Sequence, residues 1–522
     1  MDGLHRQEAN RWVVLFIVIM GTFMAILDSS IVNVALPHMM SAFGVNRDQI
    51  EWVSTAFMLA LAVTMALVGW LVNRLGHKTL YIASLAVFTL GSALCAFAWS
   101  YQSMIVARVI QAIGGGAIQP VGMSIVSQIF APEERGKALG FWGTGVMLGP
   151  TIGPTLGGYL SDWFNWRAIF SVNLPVGVFT LLAAWLIMKS DSSRRDADQP
   201  FDFPGFFFLA MTLIGGLLAF ADGQEDGWTS PYILTCFSLA FIGITMFIAV
   251  ELSTLHPLLD LGLFRYRNFS LGMVLAVFRA IGLFGGIFLL PIFLENLAGY
   301  TTIQTGFIMM PGAIAVGIMM PVSGILADRY NPRGLVTTGV IITGISLFMF
   351  GRLDPAMTRT MIIIPQIIRG VGLALMMAPL INASIGSIPR HQIASASSFL
   401  NIAQTFGGAF GIAMLNTCVT NFIHIHSVRL GENLGPVPEL FLRMSRQAAT
   451  DMSTRFQELT GGYGDPAITA AGRFIMHRAN VIGFDNGFMI AGFIVLASIP
   501  LCLMLKPLAH HGRKIGSNPA PE

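Results

Sequence analysis

Long apolar runs alternate along this chain with short breaks that are polar, charged or rich in glycine and proline. Residues Trp12–Leu27, Ile233–Val250, Gly334–Phe350 and Gly487–Leu505 are almost unbroken in apolar character. A bilayer core about 30 Å thick takes about 20 residues of helix to cross. The two-residue alternation of barrel strands is absent, which leaves helices as the spanning structure. The pattern predicts an all-α integral membrane protein of about 14 transmembrane helices. They begin near Trp12, Glu51, Thr79, Gln102, Lys137, Ala168, Phe203, Tyr232, Phe269, Ile303, Gly334, Thr360, Ala394 and Gly487. The first run follows Arg6 and Arg11 but has no A-x-A-like cleavage pattern behind it, so it reads as a retained helix rather than a secretory signal. Residues Thr420–Asn486 are polar and punctuated by Gly and Pro, which predicts a long loop, with short amphipathic helices around Pro438–Leu459.

An internal repeat organises these spans. Gly69-Trp-Leu-Val-Asn-Arg-Leu-Gly, at the end of the second span, recurs as Gly324-Ile-Leu-Ala-Asp-Arg-Tyr-Asn at the end of the tenth. Arg108-Val-Ile-Gln-Ala-Ile-Gly recurs as Gln366-Ile-Ile-Arg-Gly-Val-Gly, and Pro132-Glu-Glu-Arg loosely as Pro389-Arg-His-Gln. The offsets are 255, 258 and 257 residues, and the matches fall on the same membrane side in both halves. Parallel halves related by an axis along the membrane normal suit a carrier that rocks between two states. The expected domains are residues 1–190, a first six-helix bundle, and residues 191–260, a linker with two extra helices. Residues 261–522 form the second six-helix bundle, including the long extracytoplasmic loop at about 420–486.

Composition agrees with the pattern. Hydrophobic residues make up 54% of the 522 and charged residues only 11%, against about 25% charged in soluble domains. An exterior so poor in charge is met by lipid, which argues against a soluble enzyme. The net charge of +3 says little about partners, and no nucleic acid is expected among them. The placement of Lys and Arg says more. With the amino terminus inside, Arg74, Lys78, Arg135, Lys137, Lys189, Arg265, Arg267, Arg329 and Arg333 lie on the cytoplasmic face, whereas the short opposite loops hold only Arg47, Arg167, Arg352 and Arg359. Both termini are therefore expected in the cytoplasm of a multi-pass protein of the cell inner membrane. Cys95, Cys236, Cys418 and Cys502 are scattered without C-x-x-C spacing and read as small hydrophobes. His424 and His426 lack further ligands nearby, so no metal or other cofactor is expected, and no G-K-S/T loop supports ATP drive.

The repeat and several motifs together resemble the major facilitator superfamily, more closely its fourteen-helix EmrB/QacA-type drug:proton antiporters. The carriers of the resemblance are Leu27-Asp-Ser-Ser-Ile-Val-Asn-Val-Ala-Leu-Pro37 and Gly145-x-x-x-Gly-Pro150-x-x-Gly-Pro154-x-x-Gly-Gly158. Trp166-Arg-Ala-Ile-Phe-Ser-Val-Asn-Leu-Pro175 and Gln404-Thr-Phe-Gly-Gly-Ala-Phe-Gly-Ile-Ala413 add to it. It runs from about Trp12 to Lys506 and implies the major facilitator fold, two six-helix bundles with two helices between them. The chain departs from the family pattern at Asn73, where Asp is usual, and at Ala112, where Gly is usual. The second copy keeps Asp328-Arg329.

Ionisable groups inside a membrane cost about 2.5–3.5 kcal/mol each on insertion scales and so point to function. Asp28 lies deep in the first span, where a buried carboxyl can take up and release a proton as access alternates; the competing reading is a permanently paired carboxylate. The resemblance implies that Arg108 is its coupling countercharge, against a purely structural anchor. Gln111 follows three residues on, on about the same face. Arg279, Arg369 and Glu295 are further membrane-embedded polar groups, Glu295 closing the ninth span. Gly145, Gly149, Gly153, Gly157 and Gly158 allow close helix approach, and Pro150 and Pro154 invite bending at a moving interface. Gly69, Arg74, Gly76 and Lys78 are candidates for a cytoplasmic latch, as are Asp328 and Arg329. The 29 Met and 39 Phe residues permit a broad apolar cavity.

The function these features predict is proton-coupled efflux of small lipophilic or cationic substrates by alternating access. The alternatives are an exporter of one metabolite, siderophore or lipid, and a non-transporting sensor or scaffold, which would need neither the repeat nor Asp28 and Arg108. Membrane lipids and protons are partners in any case. In a cell with two membranes, the resemblance implies a periplasmic adaptor protein and an outer-membrane channel.

Overall fold

A computed structural model describes residues 2–189, 200–354, 357–432 and 466–507. The chain forms fourteen long helices among these residues and no strand. They are α1 (Asp2–Phe43), α2 (Arg47–Leu75), α3 (His77–Ala96), α4 (Tyr101–Ile129), α5 (Arg135–Trp163) and α6 (Ala168–Ile187, broken at Val172). An added pair follows, α7 (Phe203–Asp222) and α8 (Pro231–Ser253). The second half comprises α9 (Arg267–Asn296), α10 (Thr302–Arg329), α11 (Pro332–Phe350), α12 (Arg359–Ile385), α13 (Ile393–Glu432) and α14 (Pro466–Ala497). Thirteen of them are long and apolar enough to cross a membrane. The remaining one is α5, whose glycines at 136, 140, 143, 145, 149, 153, 157 and 158 dilute its hydropathy without shortening it.

Helix starts follow local chemistry. Asn46 and Gln49 form a capping box at α2, as do Ser100 with Ser103 at α4 and Thr301 with Gln304 at α10. Each satisfies backbone N–H groups that have no partner inside the helix. Pro231 and Pro332 occupy the first turns of α8 and α11, where a missing N–H costs nothing. Gly76 joins α2 to α3 with φ of 80°, a conformation that a Cβ would strain.

The helix bounds correct the expected ones in three places. The first helix begins at Asp2 rather than near Trp12, and the second at Arg47 rather than Glu51. The stretch expected as a loop over 420–486 is helical at both ends, since α13 runs on to Glu432 and α14 starts at Pro466. The hydropathy pattern marks only the apolar part of a helix. Polar residues such as Asn421, His424 and Ser427 continue the same helical ladder beyond it. The expected amphipathic helices around Pro438–Leu459 lie outside the described residues.

Within each half the helices pack through glycine. Gly91 of α3 sits against the backbone of Gln111 in α4, and Gly407 and Gly411 of α13 sit against Val277 and Ile281 of α9. The α7–α8 pair bridges the halves. Phe201, just before α7, stacks edge-on against Trp70 of α2. At the other end of α7, Phe220 packs on Phe406 and Phe410 of α13, and Trp228 Nε1 donates to Thr417 Oγ1.

Candidate proton-coupling site and the seam between the halves

Asp28 is fully buried inside the first bundle, and Arg108 is 1% exposed. Arg108 Nη1 donates to Asp28 Oδ2 at 2.6 Å. Gln111 Nε2 and Asn173 Nδ2 donate to Oδ1 at 2.8 and 2.6 Å. Every one of these neighbours presents a donor, so the pocket is built for the anion. Arg108 has further acceptors: Nη1 also donates to Gln111 Oε1 at 2.7 Å, and Nε to Val53 O at 3.2 Å. Its Cζ lies 3.8 Å from the centroid of the Phe57 ring, a cation–π contact. Ser92 Oγ accepts from both amides, Gln111 at 2.6 Å and Asn173 at 3.2 Å.

Five helices thus meet at one carboxylate: α1 gives Asp28, α2 Val53 and Phe57, α3 Ser92, α4 Arg108 and Gln111, and α6 Asn173. The surroundings are apolar, with Ile31, Val32, Val53 and Ala107 all buried. In such low dielectric, charge–charge attraction is strong and an unpaired charge costly. The structure brings Asp28, Arg108 and Gln111 into contact. Ser92 and Asn173 were missed. Asn173 had a signal in the motif that ends Asn-Leu-Pro175, an amide opening an apolar helix; a lone serine among apolar residues carries none.

The seam between the halves runs along α5 and α10. Asp328, half-buried at the end of α10, accepts from the backbone N–H of Gly136 at 2.7 Å and of Lys137 at 2.8 Å. These are free amides of the first turn of α5, at the positive end of its dipole. The carboxylate of one half therefore caps a helix of the other. Gly136, Gly140 and Gly143 face Gly324 and Met320 in the same seam. Thr144 Oγ1 lies 3.4 Å from Gly317 O. At the end of the molecule that carries Asp328, Gly69 faces Ser395 of α13 and Gln128 Nε2 donates to Arg390 O at 3.4 Å.

The other expected residues fall as follows. Gly145, Gly149 and Gly157 do not line the seam; a Cβ on each would come within 2.8 Å of Ile19, Ile26 and Ile31 of α1, in the same half. Gly153 faces Ser30 of that helix, and Gly158 has only Val34 nearby, at 3.9 Å. Pro150 and Pro154 lie inside α5, which continues past both. The Asn73 side chain has no hydrogen-bond partner among the described residues, whereas Asp328 has two, so the two copies of the repeat differ in chemistry as well as sequence. Arg74 lies over the Trp70 ring at 5.2 Å. Lys78 and Glu295 are half-buried at helix ends, and Arg329 is exposed.

Arg279 and Arg369 are both buried in the second half, at 3% and 6% exposure. Arg279 Nη2 donates to Gln404 Oε1 at 2.7 Å, in a small cavity shared with Met123 and Trp142 of the first half. Arg369 lines a second cavity on the seam with Gln366, Met309 and Met147. A larger apolar cavity, about 640 Å³, lies between α2, α3, α4 and α7, lined by Trp52, Leu59, Val63, Val87 and Phe206 among others. It shares no residue with the Asp28 network.

Comparison with known proteins agrees with this architecture. Residues 18–412 match the family model described as Major Facilitator Superfamily. The chain is 32% identical over 433 residues to "Multidrug export protein EmrB" of Escherichia coli (strain K12), covering 82% of this chain and 84% of that one. It is 30% identical over 507 residues to the MFS-type transporter YhcA of Bacillus subtilis (strain 168), covering 97% and 94%. A crystal structure of the human organic anion transporter MFSD10 (TETRAN) superposes with a TM-score of 0.57 at 12% identity, over 93% of this chain and 99% of that one, a likeness of fold alone. Two repeated bundles, a seam closed by a repeated motif and a family match across three quarters of the sequence lead to one conclusion: the chain belongs to the Major Facilitator Superfamily and is a multi-pass membrane transporter.

Proposed function

We propose that this transporter is a proton-coupled secondary exporter of lipophilic compounds, working by alternating access. The observation that carries the reading is the buried Asp28–Arg108 pair with its amide donors from Gln111 and Asn173. In the state described, the Asp28 carboxyl accepts from a guanidinium and two side-chain amide N–H groups. A proton reaching Asp28 cancels the charge that holds Arg108, and the network loses the reason for its geometry. Removing one partner of a buried pair costs about 3–5 kcal/mol, and each 1.4 kcal/mol is tenfold in an equilibrium. Protonation thus has enough leverage to shift the balance of two transporter states by two decades or more.

The Asp328 cap on α5 gives the halves something discrete to make and break. With the termini in the cytoplasm of the inner membrane, as the placement of Lys and Arg supports, this cap closes the cytoplasmic side. Lipophilic cargo is supported by the apolar cavity near α2 and by relatives named for multidrug export. In a cell with two membranes, a periplasmic adaptor and an outer-membrane channel are the partners that the resemblance to the EmrB/QacA-type antiporters implies. The test is transport of the cationic dyes ethidium and rhodamine 6G and the anionic dye 8-anilinonaphthalene-1-sulfonate into proteoliposomes under an imposed pH gradient. Wild type is expected to concentrate at least one dye, and Asp28→Asn none. Full gradient-driven transport by Asp28→Asn rejects the proposal.

A further inference from the structure

Arg369 and Gln366 of α12 repeat the chemistry of Arg108 and Gln111 of α4 with the two residue types exchanged, at an offset of 258 residues. The same offset carries Asp28 onto Gly286 of α9. The helices correspond as well, since α1 and α4 open and continue the first half as α9 and α12 do the second. In the first half the guanidinium has a carboxylate. In the second, the carboxylate has been replaced by a glycine, and the Arg369 guanidinium lies where its side chain would begin: a Cβ on Gly286 would overlap Nη1.

Arg369 is left without a countercharge. It is 94% buried by its 6% exposure, and neither Nε nor Nη1 has a hydrogen-bond partner. No carboxylate among the described residues forms an ion pair with it. Phe350 offers only a ring face 6.0 Å away. Gln366, 1% exposed, likewise has an Oε1 without a donor. Both side chains line the cavity on the seam, walled by Leu283, Met309, Val316 and, from the other half, Met147. A buried cation and a buried acceptor, both unsatisfied and bordered by apolar side chains, describe a site that lacks its ligand's polar group.

We propose that Arg369 and Gln366 bind the acidic headgroup of a lipophilic anion, so that the exported cargo supplies the carboxylate that Gly286 deletes. The inference names the cargo class within the export reading and rests on it. The guanidinium takes the ionised headgroup as a charge-assisted acceptor. The Gln366 oxygen accepts the O–H of the same headgroup when it is protonated, so a weak acid is served in either form. In the state described the cavity offers only about 30 Å³, room for a few atoms at most. The apolar tail therefore enters when the halves part along α5 and α10, where Met147 and Met309 are adaptable neighbours.

The test is equilibrium binding by the purified full-length protein in nanodiscs of phosphatidylcholine, with no gradient, so that a failure of proton coupling leaves it untouched. The probes are decanoate, decanol and decyltrimethylammonium, which share a chain and differ in charge. Wild type is expected to bind decanoate about tenfold or more tighter than either of the others, and Arg369→Gln to lose about tenfold for decanoate alone. Because Arg369→Gln leaves Gln366 in place but can fold poorly, Gly286→Asp is the second variant. It returns a carboxylate in cis and is expected to abolish decanoate preference while holding or raising thermal stability. Equal binding of the three probes, or unchanged decanoate binding in both variants, overturns the inference. So does displacement of decanoate by chloride or by added phosphatidylglycerol, which would make the site one for inorganic ions or lipid headgroups rather than cargo.

Discussion

Asn at position 328 removes the charge from the cap that joins the two halves. In wild type the carboxylate accepts two backbone N–H groups, at 2.7 and 2.8 Å, from the first turn of α5. Hydrogen bonds to a charged group contribute about 1.5–3 kcal/mol each, and a negative charge at a helix N-terminus adds about 0.3–1 kcal/mol. The side chain is half-buried, which argues for the low end of both, and Asn keeps one acceptor. The net loss is then about 2 kcal/mol, or about 30-fold in the ratio of capped to uncapped states. Spin labels on Leu75→Cys, at the exposed end of α2, and Gly334→Cys, in open space on α11, report the distance across that end by pulsed dipolar spectroscopy. The half-buried Cys418 is replaced by Ser to keep labelling specific. The expected result is one short distance for wild type and a second, longer population for Asp328→Asn. Superimposable distributions refute the idea that Asp328 latches the halves.

Arg108→Gln leaves the Asp28 charge buried without its partner, and thermal unfolding of the purified protein should show a loss of about 3–5 kcal/mol. The double variant Asp28→Asn with Arg108→Gln should recover most of that loss; no recovery would mean that Arg108 stabilises through packing alone. Gly149→Ala places a methyl 2.8 Å from Ile26 Cγ2, an overpacking that costs about 1–3 kcal/mol and lowers the melting temperature. Gly158→Ala, with its nearest neighbour at 3.9 Å, should leave it unchanged, and equal effects at the two positions would contradict the packing described. Asn173→Ala removes a 2.6 Å donor to Asp28, and gradient-driven dye flux should fall about tenfold, the effect of losing one charged hydrogen bond; wild-type flux would exclude Asn173 from the coupling network.

The fold was legible because lipid imposes a length and a composition that stretches such as Ile233–Val250 cannot disguise. The limits of that logic appear where helices leave the apolar layer. Asn421, His424, His426, Ser427 and Arg429 interrupt the apolar run while α13 continues, so hydropathy placed a loop where the backbone remains helical. Asp28 and Arg108 stood out because charge is expensive in a membrane, and Gln111 because it follows Arg108 by three residues on about the same face. Ser92 and Asn173 did not, since small uncharged polar groups are cheap enough to occur anywhere in a helix. The glycines of α5 signalled close approach but not the partner. Gly145, Gly149 and Gly157 meet α1, whereas Gly136 and Gly140, outside the motif, make the seam. Spacing along one helix cannot say which neighbour lies on each face. Arg369 was visible as a buried charge, yet only the packing of α9 against α12 shows that Gly286 takes the place of its carboxylate.

Proton movement driven by cargo tests the central claim most directly. Proteoliposomes loaded with the pH indicator pyranine, with no imposed pH gradient, are exposed to a transported dye added on one side. Exchange through Asp28 predicts a proton flux opposite in direction to the dye, present in wild type and absent in Asp28→Asn. Dye entering wild-type vesicles with no change in pyranine signal would contradict it.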